Sequence, residues 1–139
     1  MPVRRAAVGV LLVLGACTAP AGDERRGCNA DWLDAASVAA TGSGVQAEVL
    51  KIDCIEGVAN RRLRLGFTLP AGPDCHVLQR VELLESADAV SITLIGAVND
   101  DPNAGACPDE PRMVVTEVDL AGAVGDRALL DGGDRPPEP

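Results

Sequence analysis

The segment RLRLGFTL, Arg62–Leu69, alternates polar and apolar residues without a break. Every second residue is a leucine or a phenylalanine, and the residues between them are arginine, glycine and threonine. Successive side chains of an extended chain point to opposite faces, so a period of two predicts a strand with one face in a core and one in solvent. This pattern favours an antiparallel β fold.

Further strands are predicted on the C-terminal side of this segment, over residues 77–85, 90–96, 113–120 and 128–130. The residues between the first two, 86–89, predict a tight hairpin. In the third, Val118 and Leu120 are expected to point inward, and Glu117 and Asp119 outward.

The N-terminal side is less regular. Residues 45–54 are apolar enough for a strand, but Val49 and Leu50 interrupt the alternation, which predicts a bulge or a strand covered on both faces. Residues 31–40 fit either a short helix or a strand. The predicted fold is mainly β, a small antiparallel sandwich or curled sheet with a possible short N-terminal helix.

Composition limits the possible functions. The 139 residues are 47% hydrophobic and 24% charged, enough for one domain. With 12 basic and 21 acidic side chains the net charge is −9, so binding to nucleic acid is not expected. Trp32 and Phe67 are the only aromatic residues, which leaves no platform on which bases or sugars would stack.

The N-terminus carries an export pattern. Arg4 and Arg5 precede an apolar run over residues 6–14, which is much shorter than the ~20 residues of a membrane-spanning helix. The run ends in LGAC, residues 14–17, which resembles the lipobox of bacterial lipoproteins. The resemblance implies cleavage before Cys17 and acylation of its thiol and amine; the alternative is an ordinary secretory signal with Cys17 as an incidental thiol.

These features predict a signal peptide over 1–16 and a flexible tether over 17–27. Loss of the signal leaves 10 basic and 21 acidic side chains, a net charge of −11. The expected location is the outer face of the cell membrane, held by lipid on Cys17, with the acidic domain repelled from anionic lipid.

The cysteine count fits this location. Apart from Cys17 the chain has four cysteines: Cys28, Cys54, Cys75 and Cys107. An even number in an oxidising compartment predicts two disulfides, for which three pairings exist. The strand order favours Cys75–Cys107, because the hairpin at 86–89 brings the start of one strand beside the end of the next. It favours Cys28–Cys54, because Cys28 precedes the first elements and Cys54 ends the first predicted strand. A single domain over 28–131 and a disordered tail over 132–139 are expected.

The segment from Cys75 to Gly132 is similar to small secreted proteins and lipoproteins of high-GC actinobacteria, which are uncharacterised. The positions that carry the similarity are Cys75, Val81, Glu82, residues 85–90, Thr93, Cys107, Val118, Leu120, residues 125–127, Asp131 and Gly132. Ala123 and Val124 stand where such proteins often have proline and leucine. The resemblance implies a location outside the cytoplasm and supplies no catalytic residue.

Candidate catalytic residues are few. His76 is the only histidine, so a nucleophilic triad would have to use it, and Ser43 lacks the glycine pattern of a nucleophile elbow. The wide cysteine spacing favours disulfides over a zinc site. The loop from Asn99 to Glu110 is rich in oxygen ligands for calcium, although such clusters commonly form turns.

Two surface features allow two interpretations each. The arginines at 61, 62 and 64 are either an anion patch or the solvated side of a strand. Trp32 is either an interface anchor or a tryptophan that covers a disulfide.

The expected function is a non-catalytic binding or accessory module of the cell envelope, with no cofactor, meeting an envelope protein through a sheet face, an edge or the loops around Cys107. One alternative is an envelope hydrolase that uses a carboxylate pair or His76. Another is a lipoprotein that binds a small ligand or calcium.

Overall fold

The computed structural model describes residues 27–32, 34–72, 74–107 and 110–134. Within these residues it has eight strands: β1 (Ala36–Ser37), β2 (Val45–Leu50), β3 (Ile52–Ala59), β4 (Arg62–Leu69), β5 (His76–Glu85), β6 (Ala89–Val98), β7 (Arg112–Asp119) and β8 (Ala128–Asp131). Two 3-10 turns, Ala30–Trp32 and Gly132–Asp134, precede and follow them. No helix in the described part of the chain has the length and hydrophobicity to cross a bilayer.

The strands form two sheets that enclose one core. The first sheet has the order β1-β7-β4-β3. In the second, β6 is central, with β5 on one side and β2 and β8 along the other. Most pairs are antiparallel, as predicted, but β1 pairs with β7 and β8 with β6 in parallel. The predicted mainly β fold is confirmed.

The core forms where the inner rows of the two sheets meet. From β4 it receives Phe67, which is fully buried, with leucines on either side. From β6 it receives Val90, Ile92 and Leu94, all with no exposed surface. The other face of β6 is also largely covered, since Ser91 is only 8% exposed and Ile95 only 7%. A strand that is covered on both faces has a nearly continuous apolar sequence for this reason.

Both disulfides that the strand order favoured are confirmed. Cys28 is bonded to Cys54, and Cys75 to Cys107, with Cα atoms 5.1 and 5.4 Å apart. The hairpin is also confirmed, since the Ser86 N–H donates to the Ala89 carbonyl at 2.9 Å and β5 and β6 pair along their length.

The prediction of a single strand over residues 45–54 is wrong, because the chain bends at Lys51 and crosses from the second sheet to the first. Leu50 at the end of β2 and Ile52 at the start of β3 both point into the core. Side chains two residues apart in an extended chain point to the same side. Leu50 and Ile52 therefore both face the core, although Leu50 belongs to the second sheet and Ile52 to the first. The Asp131 carboxylate accepts the Ile52 N–H at 2.9 Å and satisfies the backbone at the corner.

Residues 31–40 form neither a regular helix nor a long strand. Trp32 closes a 3-10 turn by donating its N–H to the Asn29 carbonyl at 3.1 Å, and β1 follows with only two residues. At the other end, Gly132–Asp134, which the sequence assigned to a tail, form a 3-10 turn against β6. The predicted signal peptide and all but residue 27 of the predicted tether lie outside the described residues.

Candidate functional site

The outer edge of β7 is only partly covered. β1 pairs with two β7 residues, Val114 and Val115, and the Val38 N–H then donates to the Val115 carbonyl at 2.8 Å. Backbone groups alternate in direction along a strand, so the N–H and C=O groups of Glu117 and Asp119 point the same way as those of Val115. Within the described residues no strand lies beside them on that side. We call these residues the open edge.

The chain leaves this edge to cross to the other sheet. After β1, residues 38–42 run from β7 to β5, where Thr41 and Gly42 donate their N–H groups to the carbonyls of Leu78 and Gln79, both at 2.9 Å. Gly42 and Gly44 have positive φ angles, and a Cβ on Gly44 would lie 2.7 Å from Ala97, so the chain passes tightly over the second sheet here. The crossing closes one end of the space between the two edges.

A groove of about 820 Å³ lies between the open edge of β7 and β5. Val38, Val81 and Leu83, partly buried side chains that pack against the core, all line this groove. Thr116 and Val118 of β7 complete the inner wall. The hydrophobic core therefore reaches the surface here, next to backbone groups that lack a strand neighbour. We call this space the edge groove.

The face of the first sheet above the open edge is charged and internally paired. Arg62 Nε contacts Asp119 at 2.8 Å, and Arg64 contacts Glu117 at 3.2 Å and Glu56 at 3.6 Å. Hydrogen bonding with Arg62 holds the pKa of Asp119 below its ordinary value and raises that of Arg62. Asp119 is therefore suited to remain ionised and not to donate a proton.

These contacts decide between the two interpretations of the arginines. Arg62 and Arg64 are the solvated side of β4 and pair with carboxylates on the neighbouring strands, as cross-strand pairs commonly do. Arg61, in the turn before β4, donates to the Ala121 carbonyl at 3.3 Å. The three side chains do not form a common anion site.

Trp32 lies on the same charged face. A Cβ on Gly66 would collide with Cys54 Sγ and lie 2.8 Å from the indole ring, so the tryptophan sits over the glycine beside the Cys28–Cys54 disulfide. The ring also borders a pocket of about 350 Å³, which is further lined by Ala35, Ser37, Arg64, Val115 and Glu117. We call this the Trp32 pocket. It adjoins the edge groove, since Ser37 and Glu117 line both.

His76 lies at the start of β5 beside the Cys75–Cys107 disulfide. Its Nδ1 is buried without a hydrogen-bond partner in the described residues, and the ring borders an aliphatic hollow of about 200 Å³. Thr41 also lines that hollow, and its single hydroxyl proton is within reach of the carbonyls of Ser43 at 3.2 Å and Leu78 at 3.4 Å. These contacts do not join Thr41 and His76 as a nucleophile and its general base.

The acidic loop from Asn99 to Glu110 uses its oxygens locally in the part that is described. Asn99 Oδ1 accepts the Asp101 N–H at 3.1 Å, and Asp101 Oδ1 accepts the Asn103 N–H at 2.9 Å. These are the turn bonds expected of Asn and Asp. No group of three possible metal ligands occurs in the described residues; Asp109, Cys17 and the predicted lipobox lie outside them.

Glu85 and Arg127 fasten the loop after β7 to the end of β5. The Glu85 carboxylate accepts the Ala121 N–H at 2.7 Å and contacts Arg127 at 3.0 Å. Arg127 also donates to the carbonyls of Gly122 and Ala123 at 3.0 and 2.8 Å. The bond from Ala121, followed by that from Arg127, holds the pKa of Glu85 below its ordinary value of 4.5.

A pH dependence follows from this contact. The pKa of Glu85 is lower in the folded protein than in the unfolded chain. The stabilisation from the ionised carboxylate is therefore fully present above about pH 4.5 and is lost as the pH falls through the lowered pKa. We expect Glu85→Gln to melt below the wild type at about pH 7 and to approach it at about pH 3. Glu82→Gln is the control, since Glu82 contacts Arg80 with both side chains 52% exposed. An equal difference for Glu85→Gln at both pH values would contradict the assignment.

Comparison with protein-family models, with curated proteins and with solved structures gave no match for this chain.

Proposed function

We propose that this protein is a lipid-anchored, non-catalytic binding module of the cell envelope that pairs the open edge of β7 with an extended segment of another protein. The single observation that carries the proposal is that the backbone of Glu117 and Asp119, which has no neighbouring strand in the described residues, faces a groove partly lined by side chains that pack against the core. Strand addition uses this combination, since backbone bonds give affinity and groove contacts give specificity.

The length of the open edge suits a defined partner. Two residues with one N–H and one C=O each offer four backbone hydrogen bonds to an incoming strand. Alternate side chains of that strand would point into the edge groove, toward Val38, Val81 and Leu83. A short edge flanked by charged side chains resists open-ended association with other edges.

Anchoring and location in this proposal come from the sequence. The LGAC lipobox at residues 14–17 supports acylation of Cys17, and the two disulfides support an oxidising compartment. Mass spectrometry of the protein from its membrane fraction tests the anchor. We expect diacylglycerol on Cys17 and loss of membrane association in Cys17→Ala; a mature chain without lipid would contradict it.

The test of the edge is the variant Asp119→Pro. Proline removes the outward N–H and obstructs an incoming strand, yet is tolerated at sheet edges. Against linear peptides selected from a displayed random library, we expect Asp119→Pro to bind about tenfold more weakly or worse. Asp119→Ala is the control, because it loses the same contact with Arg62 and keeps the N–H.

Amide exchange gives an independent measurement. In the unbound protein the Glu117 and Asp119 amides should exchange faster than those of Thr116 and Val118, whose groups point toward β4. A selected peptide should slow the first two. Selected peptides that bind Asp119→Pro as well as wild type, and leave these amides unprotected, would contradict strand addition.

A further inference from the structure

The Trp32 pocket lies where one side chain of an added strand would project. β1 pairs Ser37 with Val115, so a continuation of that register would place a residue opposite Glu117. An added strand occupies that place, and its side chain opposite Glu117 points to the same outer face at a Cβ separation of about 5 Å. A long side chain there reaches the pocket between Trp32, Ser37 and Glu117.

The charge of this pocket is unbalanced. Among the described residues that line it, Arg64 is the only one with a guanidinium group, and it contacts two carboxylates, Glu117 and Glu56. The cluster therefore carries one net negative charge. The Glu117 side chain is 38% exposed, so its oxygens remain accessible to a further donor. The protein as a whole, with a net charge of −9, attracts cationic partners.

The ring of Trp32 provides the second recognition element. Tryptophan is the strongest aromatic partner for a cation, and guanidinium groups stack on its face while donating at their edges. The disulfide and Gly66 beneath the ring hold it in place. An acidic oxygen beside a fixed indole is the chemistry that suits an arginine or lysine side chain.

We propose that the extended partner carries a basic residue opposite Glu117, and that this residue enters the Trp32 pocket. The inference rests on the proposed strand addition and names its partner as a segment with apolar residues facing the groove and an arginine or lysine facing the charged sheet. Glu117 and Trp32 are then the residues that determine specificity.

The experiment uses peptides whose binding is lost in Asp119→Pro, which secures edge binding first. Sequences selected on wild type should be enriched in arginine or lysine at one position. Replacing that residue by glutamine should weaken binding by about threefold to tenfold. In Glu117→Gln, which keeps the edge N–H, the arginine and glutamine peptides should bind more nearly alike. Binding should also change the fluorescence of Trp32, the only tryptophan.

The outcomes separate the two proposals. Peptides that depend on the Asp119 N–H but show no basic residue, or whose preference for arginine survives Glu117→Gln, overturn the basic-residue proposal and leave strand addition intact. If every selected peptide binds Asp119→Pro as tightly as it binds the wild type, both proposals are overturned. A dimer in sedimentation that Asp119→Pro dissociates, with no peptide selected, would show a second copy at the edge and also overturn the basic-residue proposal.

Discussion

Replacing Cys28 and Cys54 together by alanine is expected to lower the free energy of unfolding by about 3 to 4 kcal/mol. The bond closes a loop with a sequence separation of 26 residues, and its removal returns that conformational freedom to the unfolded chain. Domains of this size have a total stability of about 5–15 kcal/mol, so the loss is a large fraction. The loss also removes the support beneath Trp32, which rests beside Cys54 Sγ over Gly66.

Urea unfolding followed by the fluorescence of Trp32 and by circular dichroism measures both effects. The folded variant should show a red-shifted emission, because the ring loses its fixed position. The control is the double replacement of Cys75 and Cys107, with a separation of 32 residues. It should destabilise by a similar amount and leave the emission of the folded state unchanged. Equal stability of the wild type and the Cys28/Cys54 variant would contradict the prediction.

The parts of the fold that were predictable are those governed by local alternation. β4 has the bounds that its pattern predicts, Arg62–Leu69, because one face lies fully in the core and the other is exposed except where Trp32 covers Gly66. The hairpin between β5 and β6 was predictable from a turn between two apolar runs, and it brings the Cys75 and Cys107 segments together. The Cys75–Cys107 pairing then followed from topology. The Cys28–Cys54 pairing was also correct, although Cys54 lies within β3 and not at the end of the predicted first strand.

The corner at Lys51 and the shortness of β1 were not predictable. Val49 and Leu50 gave a signal of irregularity, but whether a strand bulges or passes to another sheet depends on where the second sheet lies. The length of β1 is set by tertiary competition: after Ser37 the backbone leaves β7 and bonds to Leu78 and Gln79 of β5. No pattern within residues 31–40 encodes that choice.

The open edge was missed for the same reason. The outward direction of Glu117 and Asp119 was correctly predicted from alternation, and both are exposed. Their backbone has no strand neighbour in the described residues because β1, which is remote in sequence, is only two residues long. Their contacts with Arg64 and Arg62 depend on the register of β4 against β7, which the alternation within each strand does not specify.

Phe67→Ala is expected to lower the free energy of unfolding by about 3–5 kcal/mol. Phe67 has no exposed surface, and it pairs with Ile52 on one side and Val114 on the other. Removing the ring leaves a cavity that neighbouring strands fill only in part, since a β-sheet relaxes little around one missing side chain. Chemical unfolding should place Phe67→Leu between the alanine variant and the wild type, and exposed Thr68→Ala near the wild type.

The same variants separate folding from binding. Phe67 lies inside the sandwich, whereas Asp119 presents its N–H at the surface, so each substitution should affect one property. Below its melting temperature, Phe67→Ala should bind selected peptides with wild-type affinity per folded molecule. Asp119→Pro should lose binding with a melting temperature close to that of Asp119→Ala. If Phe67→Ala lost affinity while fully folded, the edge groove would depend on core packing, and the open edge alone would not account for recognition.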